Sequence, residues 1–154
     1  MNKITVLGFI VGSFLAAPAN ADFNQTLQWH ESKGGHTIAL HTGKTLTYLL
    51  NRCSTGGVSE ASTWSSVSGG QALVNSLLAK KASEIAAWKA SATTQNLILR
   101  DWGKDNSPNG TYVRCPSTVS NGPRGRTAVL KKTTLSPSGW IVLTSYPYAT
   151  SAGY

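Results

Sequence analysis

The sequence predicts an α+β fold in which N-terminal helices pack on a C-terminal antiparallel sheet. Apolar residues recur at three- and four-residue spacing through the first half of the chain. Short apolar runs, separated by Gly, Pro, Asn and Ser turn signals, fill the second half. No linker or internal repeat divides the stretch from Asp22 to Tyr154, so it reads as a single domain.

Residues 1–21 read as a signal peptide outside that domain. Met1-Asn2-Lys3 gives a basic start, Ile4 to Leu15 is uncharged and mainly apolar, and Ala17-Pro18-Ala19-Asn20-Ala21 ends in a small-x-small cleavage site. The apolar run is too short to span a bilayer, and no later stretch is long and apolar enough to do so. Cleavage after Ala21 would leave a secreted or periplasmic product with no stable membrane insertion.

Asp22 to Lys33 is polar and reads as an arm or a first short helix. After the Gly34-Gly35 break, Thr37 to Leu40 forms an extended step or a helical turn. Thr45 suits an N-cap, and Leu46, Leu49, Leu50 and Cys53 follow at helical spacing, so a short helix runs from about Thr45 to Arg52, ended by Ser54-Thr55-Gly56-Gly57. Arg52 falls off its apolar stripe. Ser59 to Ser68 is rich in Ser and Thr, with Trp64 and Val67 as anchors. Ser68-Gly69-Gly70-Gln71 fits a capping box that opens a helix over about Gln71 to Ala90. On it Val74, Leu77, Leu78, Ile85 and Trp88 form the core stripe, and Lys81 interrupts them with its stem laid along apolar surface and its ammonium in water.

Strands are expected at Asn96 to Asp101, Thr111 to Arg114, Arg126 to Lys131 and Trp140 to Tyr146, the last stopped by Pro147. Asp105 to Gly110 is a dense turn signal, Ser120 to Gly125 a loop, Ser136 to Gly139 a turn, and Ala149 to Tyr154 a frayed tail. Strict alternation along the final strand puts Trp140, Val142, Thr144 and Tyr146 on one face and Ile141, Leu143 and Ser145 on the other. Thr144 and Tyr146 then present two hydroxyls together, or a surface Thr beside a Tyr packed over the sheet edge.

The chain carries 14 Lys and Arg against 6 acids, a formal net charge of +8. That balance attracts polyanions: nucleic acid, anionic lipid headgroups or acidic glycans. Cys53 and Cys115, in a chain bound for an oxidising compartment, allow one disulfide with only one connectivity. Closing so long a loop stabilises by about 4 kcal/mol in the chain-entropy model. Two cysteines are too few for zinc without histidine ligands, and the histidines stand at no ligand spacing beside them, so neither metal nor other cofactor is expected.

Chemistry concentrates in Gly34-Gly35-His36-Thr37-Ile38-Ala39-Leu40-His41-Thr42-Gly43-Lys44-Thr45 and the following Leu49-Leu50-Asn51-Arg52. Imidazole both takes and gives a proton near neutrality. Two imidazoles beside two fixed cations suit cleavage of an anionic ester, and RNA is the obvious candidate. The competing readings are a polar turn entering a helix, a non-catalytic basic secreted protein that binds nucleic acid or another polyanion, and a structural or adhesive periplasmic protein.

The Gly-Gly-His-Thr start, His41-x-Gly-Lys-Thr, Leu49-Leu50-x-Arg52, Ala61-Ser62-Thr63, Ile85-x-x-Trp88 and Leu143-Thr144-Ser145-Tyr146-Pro147 together resemble the bacterial RNase A-like toxin domain. That domain ends contact-dependent inhibition and other polymorphic toxins. The resemblance spans about Gly34 to Pro147. It implies a kidney-shaped α+β fold similar to pancreatic ribonuclease and metal-independent endonucleolytic cleavage of RNA by 2′-hydroxyl transphosphorylation. It implies a site made of a histidine, an arginine eleven residues on, and a threonine and tyrosine two apart on a late strand; these fall on His41, Arg52, Thr144 and Tyr146. His36 and Lys44 are carried as neighbouring substrate-binding residues. RNA is the implied partner, with a cognate immunity protein as a second one. His41 would transfer a proton, Arg52 would hold the phosphoryl oxygens, and Thr144 and Tyr146 would position the phosphate. Tyr146 could deliver the leaving-group proton; which group is base and which acid stays open, as does a two-imidazole scheme with His36. The cysteine pair is no motif of that family, but Cys53 adjoins Arg52, where a disulfide would brace the site.

Overall fold

Side-chain oxygens at Thr26, Thr45 and Ser66 set where three of the helices begin. In the computed structural model, residues 25–102 and 108–149 are described. The expected signal peptide, Asp105 to Ser107 of the expected turn, and the tail from Thr150 lie outside those residues.

Helix α1 (Leu27–Ser32) starts at Thr26, whose hydroxyl accepts from Trp29 N–H, so the helical alternative holds for this stretch. Helix α2 (Thr37–His41) follows, again the helical alternative; its cap residue His36 offers no side-chain bond. The Glu31 carboxylate of α1 substitutes, accepting from Ile38 N–H at 2.7 Å and Ala39 N–H at 2.8 Å. A negative charge there also suits the positive end of the helix. Helix α3 (Leu46–Thr55) is capped by Thr45 as expected but runs a turn beyond Arg52. Ser54 and Thr55 belong to it because their hydroxyls bond back to the Asn51 carbonyl instead of breaking the helix.

The Ser/Thr-rich stretch contains an unexpected strand, β1 (Glu60–Thr63). Helix α4 (Val67–Lys80) begins at Ser66, which accepts from Gly69 N–H. The Ser68 capping box does not form, because Gln71 is drawn to α1: its amide accepts from Leu27 N–H and donates to the Gln25 carbonyl. The single long helix expected to Ala90 is two, since Lys81 leaves the helical conformation and α5 (Ala82–Ala90) starts anew. Lys81 sits within the apolar stripe, and the break lets its ammonium reach Glu84 at 3.3 Å instead of the core.

Strands β2 (Leu97–Trp102), β3 (Thr111–Arg114), β4 (Thr118–Asn121), β5 (Gly125–Lys132) and β6 (Trp140–Tyr148) follow. They build two antiparallel three-stranded sheets, β1-β3-β4 and β2-β5-β6, where one was expected. Part of the expected loop at Ser120 is strand β4. Pro147 does not stop β6: this is an edge strand, where a missing N–H faces away from the ladder.

Helices α4 and α5 cover one face of the β2-β5-β6 sheet. Leu27, Val74, Leu77, Leu78, Ile85, Trp88, Leu99, Ala128, Leu130, Trp140 and Val142 form that core. Leu49, Ala61 and Val113 form a second one under α3. Trp64 joins the two regions, buried and donating from Nε1 to Ser145 Oγ at 3.3 Å.

Candidate active site

The last residue of α2 is His41, and the chain around it is pinned to β1. Trp64 N–H donates to the His41 carbonyl at 2.8 Å, and Gly43 N–H donates to the Trp64 carbonyl at 2.9 Å. Gly43 takes φ +64°, a left-handed turn that glycine makes without steric cost. Lys44 N–H then meets Thr63 Oγ1 at 3.0 Å. Polar β1 is thus the rail that fixes the His41–Lys44 segment.

The same strand orients the His41 ring. Nδ1 lies 3.1 Å from the Ser62 carbonyl oxygen. A carbonyl only accepts, so Nδ1 carries the proton and Nε2 keeps its lone pair when the ring is neutral. Burial lowers the His41 pKa to about 4; the Ser62 hydrogen bond raises it, and the charges of Arg52, His36 and Lys44 lower it further. At neutral pH the ring is therefore an uncharged base.

Tyr146 comes from the other end of the chain, its ring centroid 5.2 Å from that of His41 and tilted by 34°. The way β6 delivers it differs from strict alternation. Register shifts between Val129 and Leu130, which face Thr144 and Val142, leaving Leu143 as an extra residue. This bulge reverses the parity of the strand. Trp140 and Val142 face the helices, as does Ser145, which lies opposite core residue Ala128, whereas Thr144 and Tyr146 face the opposite side. Without the bulge, the two hydroxyls would share the face of Trp140 and enter the core.

Arg52, in the last turn of α3, acts on His41 electrostatically. Its Nη1 is buried with no hydrogen-bond partner, and so is Thr144 Oγ1. Buried polar atoms are normally paired, so each of these two stands out in its surroundings. Lys44 Nζ stands 5.4 Å from the Tyr48 ring centroid. His36 bonds β6 through its backbone, N–H to the Leu143 carbonyl at 2.8 Å, with its charge felt at His41. The six residues singled out in the sequence thus lie on α2 or at its N-cap, on α3, on the turn between them, or on β6. Cys53 and Cys115 are joined, with Cα atoms 5.2 Å apart, tying α3 just past Arg52 to the end of β3. Among the described residues, no group of three or more His, Cys, Asp and Glu could hold a metal ion.

Sequence reasoning missed the Ser62 carbonyl, because a backbone acceptor leaves no trace in residue type. It also missed the cavity lined by Tyr146, Tyr148 and Arg100 on one sheet and Glu60 on the other. Only the period-two placement of Tyr148 beyond Tyr146 could have hinted at it.

A neutral imidazole packed on Tyr146, with the charges of Arg52 and Lys44 acting on it, thus sits on the α+β scaffold of a basic chain. The sequence model of the bacterial CdiA-CT RNase A domain matches residues 35–147. The chain belongs to that family, and it is a ribonuclease toxin domain of the RNase A-like kind. It is also similar to a solved structure from Y. kristensenii 33638, a CdiA-CT/CdiI complex, at 28% identity and a TM-score of 0.66, covering 74% of this chain and 99% of that one. No curated protein matches the sequence.

Proposed function

We propose that the protein is an exported, metal-independent endoribonuclease that cleaves RNA by transphosphorylation. The observation that carries this reading is the neutral His41 ring, with Nδ1 held by Ser62 and Tyr146 beside it. His41 Nε2 takes the proton of the RNA 2′-hydroxyl, the 2′-oxygen bonds to phosphorus, and the bond to the 5′-oxygen breaks. The products are a 2′,3′-cyclic phosphate and a 5′-hydroxyl, whose proton comes from Tyr146. Negative charge building on the phosphoryl oxygens meets the Arg52 guanidinium and the Thr144 hydroxyl, both with an unpaired buried atom. Lys44 adds positive potential that draws RNA toward His41, with His36 as a neighbouring substrate-binding residue.

Choosing His41 as base follows from its lowered pKa, since a ring neutral at pH 7 accepts a proton but has none to give from Nε2. A signal peptide ending at Ala21 would keep the enzyme away from the producer's own RNA, and an immunity protein would protect against re-entry, as the CdiA-CT/CdiI complex of the similar structure suggests. Incubation of purified protein with RNA in excess EDTA should give 2′,3′-cyclic phosphate ends. His41→Ala, prepared in parallel, should lose at least ~100-fold in rate, the scale of a general acid–base group. Intact RNA that only shifts in a gel would instead favour a binding protein. Mass analysis of the exported protein should find Asp22 at its N-terminus.

A further inference from the structure

Beyond Tyr146, on the side away from the helices, both sheets wall a cavity of about 620 Å³. That lies within the range of small-molecule sites, ~300–1,000 Å³. Its lining combines features that select against most simple ligands. Tyr112, Tyr146 and Tyr148 offer aromatic surface, Arg100 and Arg114 bring cations, and Glu60 brings a carboxylate. A lone phosphate would be repelled by Glu60, and a simple cation by the two arginines. A flat, uncharged π-system whose edge carries both N–H donors and carbonyl acceptors satisfies all of them together.

The position along β6 adds a second constraint. Tyr146 packs beside His41 and also lines the cavity, and Tyr148 shares its face two residues on. Two residues of strand advance about 7 Å, a step comparable with that from a phosphate to the base of its own nucleotide. Gly125, opposite Tyr148, leaves room for this ring, which lies against it. Arg100 lies 5.9 Å from the Tyr148 centroid, so cation and aromatic ring already stand together at this end of the cavity. Thr127, opposite Tyr146, also lines the cavity and carries a buried hydroxyl with no hydrogen-bond partner.

We propose that this cavity seats a nucleobase flanking the scissile phosphate, with Tyr148 stacking on its face and Glu60 accepting from its edge N–H groups. The proposal rests on the ribonuclease reading for the phosphate beside it. It makes Tyr148 a binding residue and Glu60 a specificity-determining one: carboxylates accept from amino-bearing edges, as with cytosine N4.

Two measurements test it. Affinities of the four nucleoside 3′-monophosphates are measured by calorimetry for wild type, Tyr148→Ala, Tyr148→Phe and Glu60→Gln. Rates are measured on the two dinucleotide series NpA and ApN. Base–aromatic stacking contributes ~1–3 kcal/mol per base, so Tyr148→Ala should weaken nucleotide affinity and raise KM about tenfold or more. Tyr148→Phe keeps the ring and should stay within about threefold of wild type. Glu60→Gln should change the ranking of bases in one series. Nucleotide affinities and base rankings unaltered in Tyr148→Ala and Glu60→Gln, with RNA still cleaved, overturn the base site and leave the ribonuclease reading standing. Tyr148-dependent nucleotide binding in a protein that cleaves no RNA supports the site and removes the ribonuclease reading instead.

Discussion

At pH 7 the His41 imidazole is uncharged because burial strips away the water that would solvate an imidazolium, and Arg52, His36 and Lys44 oppose a further positive charge. Only protonation of this base removes its function, so the pH at which activity fails is set by that environment. The dependence of kcat/KM on pH reports groups of the free enzyme. It should stay level from neutrality to about pH 5 and fall below the His41 value of about 4; an acid limb centred near 6.5 would contradict the environment described. Arg52 contributes shape as well as charge, since a guanidinium can hold two phosphoryl oxygens at once. Arg52→Lys keeps the charge and should still lose about tenfold or more in kcat/KM, roughly 1.4 kcal/mol of transition-state stabilisation. The residue types at these positions were legible in the sequence. The Ser62 carbonyl that selects the His41 tautomer was not, because any residue at position 62 supplies one.

Among the elements, the start of α3 was legible because Thr45 is a capping residue, and β3 because Tyr112 and Val113 form a short apolar centre between turn signals. Strand β1 escaped because its buried residues, Ala61, Ser62 and Thr63, are small or polar; its burial comes from packing, which hydropathy does not see. The break at Lys81 escaped for the opposite reason: the stripe on either side of it is perfectly helical, and only the cost of burying an ammonium divides it. The bulge at Leu143 has no sequence sign, as no glycine marks it. Its effect is nevertheless decisive for the site, because it alone separates the face of Val142 from that of Tyr146. The disulfide acts at this scale too, fastening α3 to β3 across a sequence separation of 62 residues. A Cys53→Ser, Cys115→Ser double variant should lose about 2–5 kcal/mol in denaturant unfolding. An unchanged midpoint would mean that packing around Leu49 and Val113 holds α3 without it.

For the molecule as a whole, stability and association both follow from charge. His30 is buried, accepts from Val142 N–H at 3.2 Å, and has its pKa lowered by burial to about 4. Unfolding returns both His30 and His41 to about 6.5, so the unfolded chain binds more protons below that pH. Their contribution to stability is complete above about 6.5 and is lost as pH falls toward about 4. The melting temperature should therefore be flat near neutrality and decline across that window. His30→Gln, which can still accept from Val142, should show a shallower decline. The net charge of +8 predicts that kcat/KM on RNA falls steeply with added salt while the rate at saturating RNA changes less. Salt-independent kcat/KM would mean that steering plays no part. The α+β class and the helix-first order were legible because hydrophobic periodicity encodes them. The division into two sheets was not, because it depends on which strands meet, and β1 and β4 carry too little apolar pattern to announce themselves.

Nitrogen NMR of the histidine rings at pH 7 reads directly whether His41 is a neutral base with Nε2 bare. Nδ1 of His41 should be protonated and Nε2 unprotonated, the latter shifting when a nucleoside 3′-monophosphate is added. An imidazolium at that pH, or a proton on Nε2 instead of Nδ1, would contradict that assignment.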